Sequence, residues 1–175
     1  TEFVAQDKLV FGDDAVKTSV SIGELMPTGG VTFENKQKAY TFSGNGGFSG
    51  EGGLTFNGTG NVTLNNTKSD YTGSTVINSG TVTVKELADG GVPSSFGAAT
   101  PSTNNLKIGK AKLIINNSNT ATDRGIMLTD TATIQVASGT TSFKGIITGK
   151  GALLKTGNGQ LNITYAGSNS WARTI

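Results

Sequence analysis

Apolar residues in this chain come in short bursts that alternate with polar ones. Val62-Thr63-Leu64, Val82-Thr83-Val84, Leu106-Lys107-Ile108 and Thr133-Ile134-Gln135-Val136 are examples. Successive side chains on a strand point to opposite faces, so this period of two predicts short strands, each with one buried face. Turn signals crowd the intervals: Gly44 to Gly47, Gly50 to Gly53, Asn57-Gly58, Asn78-Ser79-Gly80, Asp89-Gly90-Gly91 and Asn158-Gly159. Such residues accept left-handed backbone or bond to their own main chain in tight turns. Nowhere do apolar positions keep helical spacing over three turns. The one helix-like stretch, Lys85-Glu86-Leu87-Ala88, is expected to end after a single turn at Asp89-Gly90-Gly91. The pattern predicts an all-β chain.

Internal repeats narrow the architecture. At an offset of 99 residues, Gly52-Gly53-Leu54-Thr55-Phe56-Asn57-Gly58-Thr59-Gly60-Asn61-Val62-Thr63-Leu64 faces Gly151-Ala152-Leu153-Leu154-Lys155-Thr156-Gly157-Asn158-Gly159-Gln160-Leu161-Asn162-Ile163. Both glycines of the central G-x-G coincide, as do three apolar positions. Phe48-Ser49-Gly50 likewise faces Ile147-Thr148-Gly149, and Asp70 to Thr75 has a looser echo in Ser170 to Thr174. A shorter recurrence of 19–22 residues runs through Phe42, Val62 and Val82, from Leu54 to Val76, and through Leu113, Ile134 and Leu153. This spacing fits one coil of a β-solenoid. The longer gap from Glu86 to Asn105, with Pro93 and Pro101, predicts a loop thrown out of one coil. A sandwich also uses Asn-Gly hairpins, but it does not predict a near-copy 99 residues away inside one domain. The reading is a single solenoid domain over 1–175: lead-in coils over 1–47, a long repeat over 48–146 and a truncated second repeat over 147–175.

Composition agrees with a narrow core. Gly (26), Thr (26), Asn (15) and Ser (15) fill 82 of 175 positions, and only 34% of residues are apolar. Threonine suits an outer strand face, where its branched Cβ favours extended backbone and its hydroxyl stays wet. There is no histidine and no cysteine. Histidine- or cysteine-based catalysis, the usual zinc, copper and haem ligand sets, and disulfides are thereby excluded. The net charge is only +2, from 12 lysines and 2 arginines spread along the chain, without the dense basic stripe and aromatics expected for nucleic acid. No apolar run approaches the roughly 18 residues of a membrane span.

Few residues invite a chemical role. Asp13-Asp14 and Asp123-Arg124 are the adjacent charged pairs, but neighbours on a strand face opposite ways, which argues against a shared site, and Asp13-Asp14 after Gly12 reads as a turn. The regularly spaced aspartates of a calcium-binding nonapeptide are missing. Gly44 to Gly53 lacks the Lys-Ser/Thr ending of a phosphate loop. Tyr71, Tyr165 and Trp171 could stack on sugars but read as covers for coil corners or the core's end. Lys107, Lys110 and Lys112 could meet anionic glycans but read as a solvated face. Asn57, Asn78 and Asn158 are expected to cap backbone at turns. The residues therefore predict no catalytic, cofactor-binding or metal-binding site and no cofactor.

The stretch from Gly50 to Leu64, continued by Asp70-Tyr71-Thr72-Gly73-Ser74-Thr75-Val76-Ile77-Asn78-Ser79-Gly80-Thr81-Val82-Thr83-Val84, resembles the autotransporter-associated β-strand repeat, also called the passenger-associated transport repeat. Ile77-Asn78-Ser79-Gly80-Thr81-Val82 is its most specific part. Lys155-Thr156-Gly157 is nearer the family pattern than Phe56-Asn57-Gly58. The resemblance covers one full repeat and a truncated second. It implies a right-handed parallel β-helix within large exported bacterial surface proteins, extracellular or on the outer surface, and it brings no catalytic residues. No translocating barrel is present in the sequence.

The functional expectation is a non-enzymatic stalk or adhesin-like passenger segment. The alternatives are a fibre subunit joined end to end through the coil edges, and a carbohydrate-binding or polysaccharide-cleaving β-helix using the outer face or the Glu86–Asn105 loop. The chain starts at Thr1 and stops within the second repeat at Thr174-Ile175, so it reads as a processed or excised piece. Expected partners are further coils of the same parent, another copy end to end, and surface glycans. Neither nucleic acid binding nor membrane insertion is expected.

Overall fold

A computed structural model describes residues 4–117 and 119–175. Among them there are twenty short strands and no helix, and every pairing between these strands is parallel, each with the equivalent strand one coil away. The chain winds as a β-solenoid of about eight turns. Its first face stacks Lys8–Phe11, Gly30–Phe33, Leu54–Phe56, Thr75–Ile77, Leu106–Ile108, Ile126–Leu128 and Ile147–Gly149. The second stacks Ser19–Ser21, Tyr40–Ser43, Asn61–Leu64, Thr81–Val84, Lys112–Ile115, Ala132–Val136, Ala152–Thr156 and Arg173–Thr174. A third face holds Leu25–Pro27 and Gly47–Ser49 near one end and Thr120–Thr122, Thr140–Phe143 and Gln160–Ile163 near the other.

Parallel stacking places like positions over like, about 4.8 Å apart, so the core is a set of rows. On the first face, Phe11, Phe33, Phe56, Ile77, Ile108 and Leu128 follow one another. The rings of Phe33 and Phe56 stack at 4.6 Å and those of Phe11 and Phe33 at 5.4 Å. On the second face the rows are Val20-Phe42-Leu64-Val84-Ile115-Val136 and Tyr40-Val62-Val82-Leu113-Ile134-Lys155. Phe42 closes the aromatic cluster edge-on against Phe11 and Phe33. Side chains of this size contribute about 1.5–3 kcal/mol each when fully buried.

Three register expectations are corrected. Phe42 lies opposite Leu64 and Val62 opposite Tyr40, because the coil between them is 22 residues long rather than 20. Leu54 lies opposite Thr75, not Val76. Thr75 is buried because its hydroxyl bonds the equally buried Tyr71 hydroxyl at 2.7 Å, which leaves Val76 facing outward. Ile134 lies opposite Lys155, and Leu153 opposite Ala132. The Lys155 ammonium reaches the carbonyl oxygens of Gly157 and Gly159, so its stem lies in a core row while its charge is met at the rim. Lys85 to Ala88 forms no helix, and Leu87 is buried in the core.

The 99-residue match also takes an unexpected form. In the earlier copy the two strands lie on the first and second faces; in the later copy they lie on the second and third. The repeated unit is therefore a corner, strand–glycine turn–strand, reused one face further round. Paired residues set coil lengths of 20–23, with one of 31 between Thr75 and Leu106. The long coil takes the place of third-face strands. It folds back rather than projecting freely, with Leu87, Phe96 and Ala99 buried, and Ser94 N–H and Ala98 N–H donate to the carbonyls of Ser69 and Tyr71.

Coils touch closely at their glycine corners, the one entering the first face among them. A Cβ on Gly53 would sit 2.0 Å from the Ser74 carbonyl oxygen, and one on Gly52 would sit 2.2 Å from the Gly30 nitrogen. Gly53→Ala is expected to lower stability by about 1–3 kcal/mol, the usual range for overpacking. Gly12→Ala, where nothing lies within 4 Å of the added carbon, is expected to stay within about 0.5 kcal/mol. Urea unfolding of the two variants checks the contrast, and equal losses would refute the close-corner account.

Candidate functional site

Of the charged pairs singled out in the sequence, Asp13, Asp123 and Arg124 are committed to structure. Asp13 sits in the turn after the first strand, as does the exposed Asp14. Asp13 Oδ1 accepts the backbone N–H of Lys36, Gln37 and Lys38 at 2.9–3.0 Å, and Oδ2 accepts Lys36 N–H at 3.0 Å. One carboxylate thus gathers three consecutive amides of the next coil. The Lys38 amide foremost holds its pKa below the ordinary carboxylate value; desolvation opposes it, and the Gln37 and Lys36 amides add to the lowering. Nearby, Tyr40 donates its hydroxyl to the Gly12 carbonyl at 2.6 Å.

Arg124 is 3% exposed and serves as the hub of the long coil. Its Nε donates to the Ala88 carbonyl at 2.9 Å and Nη2 to the Gly97 carbonyl at 2.7 Å. Longer contacts reach the carbonyls of Asp89, Val92 and Ala99 and the Ser94 hydroxyl. Desolvation lowers its pKa from the ordinary guanidinium value, and the surrounding carbonyl oxygens compensate the buried charge. Asp123 turns the other way, accepting Gly90 N–H at 2.7 Å, while its own N–H donates to Asp89 Oδ1 at 2.8 Å. A planar group with five fixed donors can gather a loop in this way and lysine cannot. The signal available in the sequence was that this chain has 12 lysines and only 2 arginines.

The aromatic candidates separate. Tyr71 is buried beneath the long coil, and burial raises its phenol pKa well above the usual value. Trp171 is half-buried against the last core residues and donates Nε1–H to Thr174 at 3.2 Å. Tyr165 is 37% exposed. Lys107 and Lys112 lie on outward strand positions, and Lys110 is exposed at the corner between the first and second faces. The asparagine expectation is partly redirected. Asn78 bonds the Asn57 side chain at 2.8 Å, one coil away, rather than a backbone group. The backbone is capped instead by Asn35, on the carbonyls of Lys38 and Asn61, and by Asn66, on those of Gly44 and Gly46. Among the described residues no group of three or more carboxylates is placed to hold a metal ion.

What remains outward is a long polar surface with rows such as Thr41, Thr63 and Thr83, stacked over three coils. Such a surface can make many weak contacts. Against known proteins, one curated protein matches: the adhesin BmaC autotransporter of Brucella suis biovar 1 (strain 1330) is 37% identical over 110 residues. The chain is similar to part of an autotransporter adhesin. The match takes in 61% of this chain and 3% of that adhesin's length. No family model and no solved structure matches.

Two outcomes follow from these contacts. Arg124→Met leaves at least two well-bonded carbonyls unpaired and should cost about 1–3 kcal/mol. Thermolysin should then cut first within residues 86–104, and a cleavage map indistinguishable from the parent chain would contradict the clamp. The lowered pKa of Asp13 makes its contribution to folding present above its unfolded value near 3.8 and lost as pH falls through the lower folded value. The amide resonances of Lys36, Gln37 and Lys38 should therefore shift together below pH 3.8. In Asp13→Ala that shared titration should vanish.

Proposed function

We propose that this chain is a non-enzymatic segment of an exported bacterial surface protein, an adhesin-like passenger that works as a rigid, laterally binding rod. The observation that carries the reading is the 37% identity to an autotransporter adhesin, in a chain whose coils stack in one direction. The rise of about 4.8 Å per coil makes eight turns about 35–40 Å of rod. Rigidity suits display, because contacts along a preorganised face forfeit little conformational entropy on binding. The absence of catalysis is supported by where the charged pairs go: Asp13 and Asp123 accept backbone amides, and Arg124 donates to carbonyls.

The test is display. The chain is joined to a translocating β-barrel on the surface of a laboratory bacterium, and cells are scored for loss of the passenger to external protease. Attachment to a panel of immobilised matrix proteins and glycans is then measured against cells carrying the barrel alone. The expected result is a protease-accessible passenger and severalfold more attachment on at least one surface. A passenger that reaches the surface without adding attachment would sink the adhesin reading. Release of reducing or unsaturated sugar ends from the same glycans would sink its non-enzymatic part.

A further inference from the structure

We propose that the corner between the first and second faces, from Lys110 to Arg173, binds an anionic polysaccharide along the solenoid axis. This rests on the surface-adhesin reading and assigns it a ligand class and a place. Charge is unevenly distributed along the rod. Up to residue 84 there are eight carboxylates and five lysines; from residue 85 onward there are four carboxylates and nine lysines and arginines. Of the later cations, Arg124 is buried in the loop clamp and Lys155 bonds two glycine carbonyls. Lys110, Lys150 and Arg173 are exposed, and the half-buried Lys112 lies beside them.

Strand register brings these cations together. Lys112 pairs with Thr133 and Ala152 with Arg173, so Lys110, Thr131, Ala152 and Arg173 follow one another over four coils. Two shallow troughs lie along this corner and share Thr131. One, of about 310 Å³, is bordered by Gly80, Lys110, Ala111 and Lys112. The other, of about 420 Å³, is bordered by Lys150, Gly151, Ala172 and Arg173. The floor is made of small residues, and Thr129, Thr131 and Thr133 supply hydroxyls. The one carboxylate in the row, Asp130, accepts the Thr131 N–H at 2.6 Å through Oδ1.

This arrangement selects for the shape of the ligand. Three coil steps separate Lys110 from Arg173, about 14 Å at ordinary strand spacing. Cations spread along a line meet a linear polyanion, whereas a single phosphate needs donors that converge. The trough has no aromatic lining on which nucleic acid bases could stack. Nor does it present large apolar side chains for insertion into a lipid surface. Charge and hydroxyls on a narrow, straight floor suit a sulfated or uronic-acid-bearing glycan chain.

Immobilised heparin is the probe, with the full 175-residue chain in 150 mM salt. Binding is expected, weakening as salt rises, and the triple variant Lys110→Ala/Lys150→Ala/Arg173→Ala should bind at least about 10-fold more weakly. The control Lys17→Ala/Lys36→Ala/Lys68→Ala removes the same charge from exposed positions in the other half and should bind as the parent does; unchanged urea unfolding of both variants verifies their folds. No binding by the parent, or equal losses in the two variants, overturns the proposal. So does equal competition by duplex DNA or by phosphatidylserine vesicles. A displayed chain that promotes attachment while the purified chain ignores heparin sinks this inference and leaves the adhesin reading intact. Heparin binding by a chain that adds no attachment does the reverse.

Discussion

Parallel pairing of every strand with its counterpart one coil away is the constraint on which the rest of the molecule depends. It repeats each backbone position at about 4.8 Å along the axis, so a side chain's nearest neighbours are those at the same position in adjoining coils. Inward positions must then form rows of compatible shape. Phe11, Phe33 and Phe56 satisfy this by stacking rings, and the row continues in Ile77, Ile108 and Leu128 as the aromatics give way to aliphatics. Because the core is only a few rows wide, an apolar content of 34% is enough to fill it.

The same constraint governs the polar residues inside. A buried threonine at position 75 is tolerable because Tyr71 reaches its hydroxyl. The excursion of the long coil is tolerable because Arg124 gathers the carbonyls that a regular strand would have paired with a neighbour. Asp13 does for amides what Arg124 does for carbonyls. At Asp13 and Arg124 a charged side chain replaces ladder bonds where the coil departs from regular stacking, and at Thr75 a hydroxyl finds its partner in Tyr71, as unmet buried polar groups are costly. The residues with the most chemical character are thus drawn into holding the fold.

On the outer surface the backbone is already satisfied and side chains are free to vary. Outward threonines give a wet, even face. The corner from Lys110 to Arg173 departs from that evenness, with cations on its first, third and fourth coils. A solenoid in this way turns one-dimensional periodicity into a linear pattern of outward side chains.

The alternation of single residues determined the strands, and their recurrence every 19–22 residues determined the solenoid, because both are local periodicities with one structural meaning. Tertiary structure decided the register. Leu54 opposes Thr75 and Ile134 opposes Lys155, since corner geometry adds or removes a residue where apolar spacing alone is indifferent. It also decided that the 99-residue copy sits one face further round, because a strand–turn–strand corner carries no mark of which corner it occupies. The clamps at Asp13 and Arg124 were likewise beyond reach of the sequence. Their partners lie 23–36 residues away, and only the winding of the coils brings a carboxylate to three amides or a guanidinium to a ring of carbonyls.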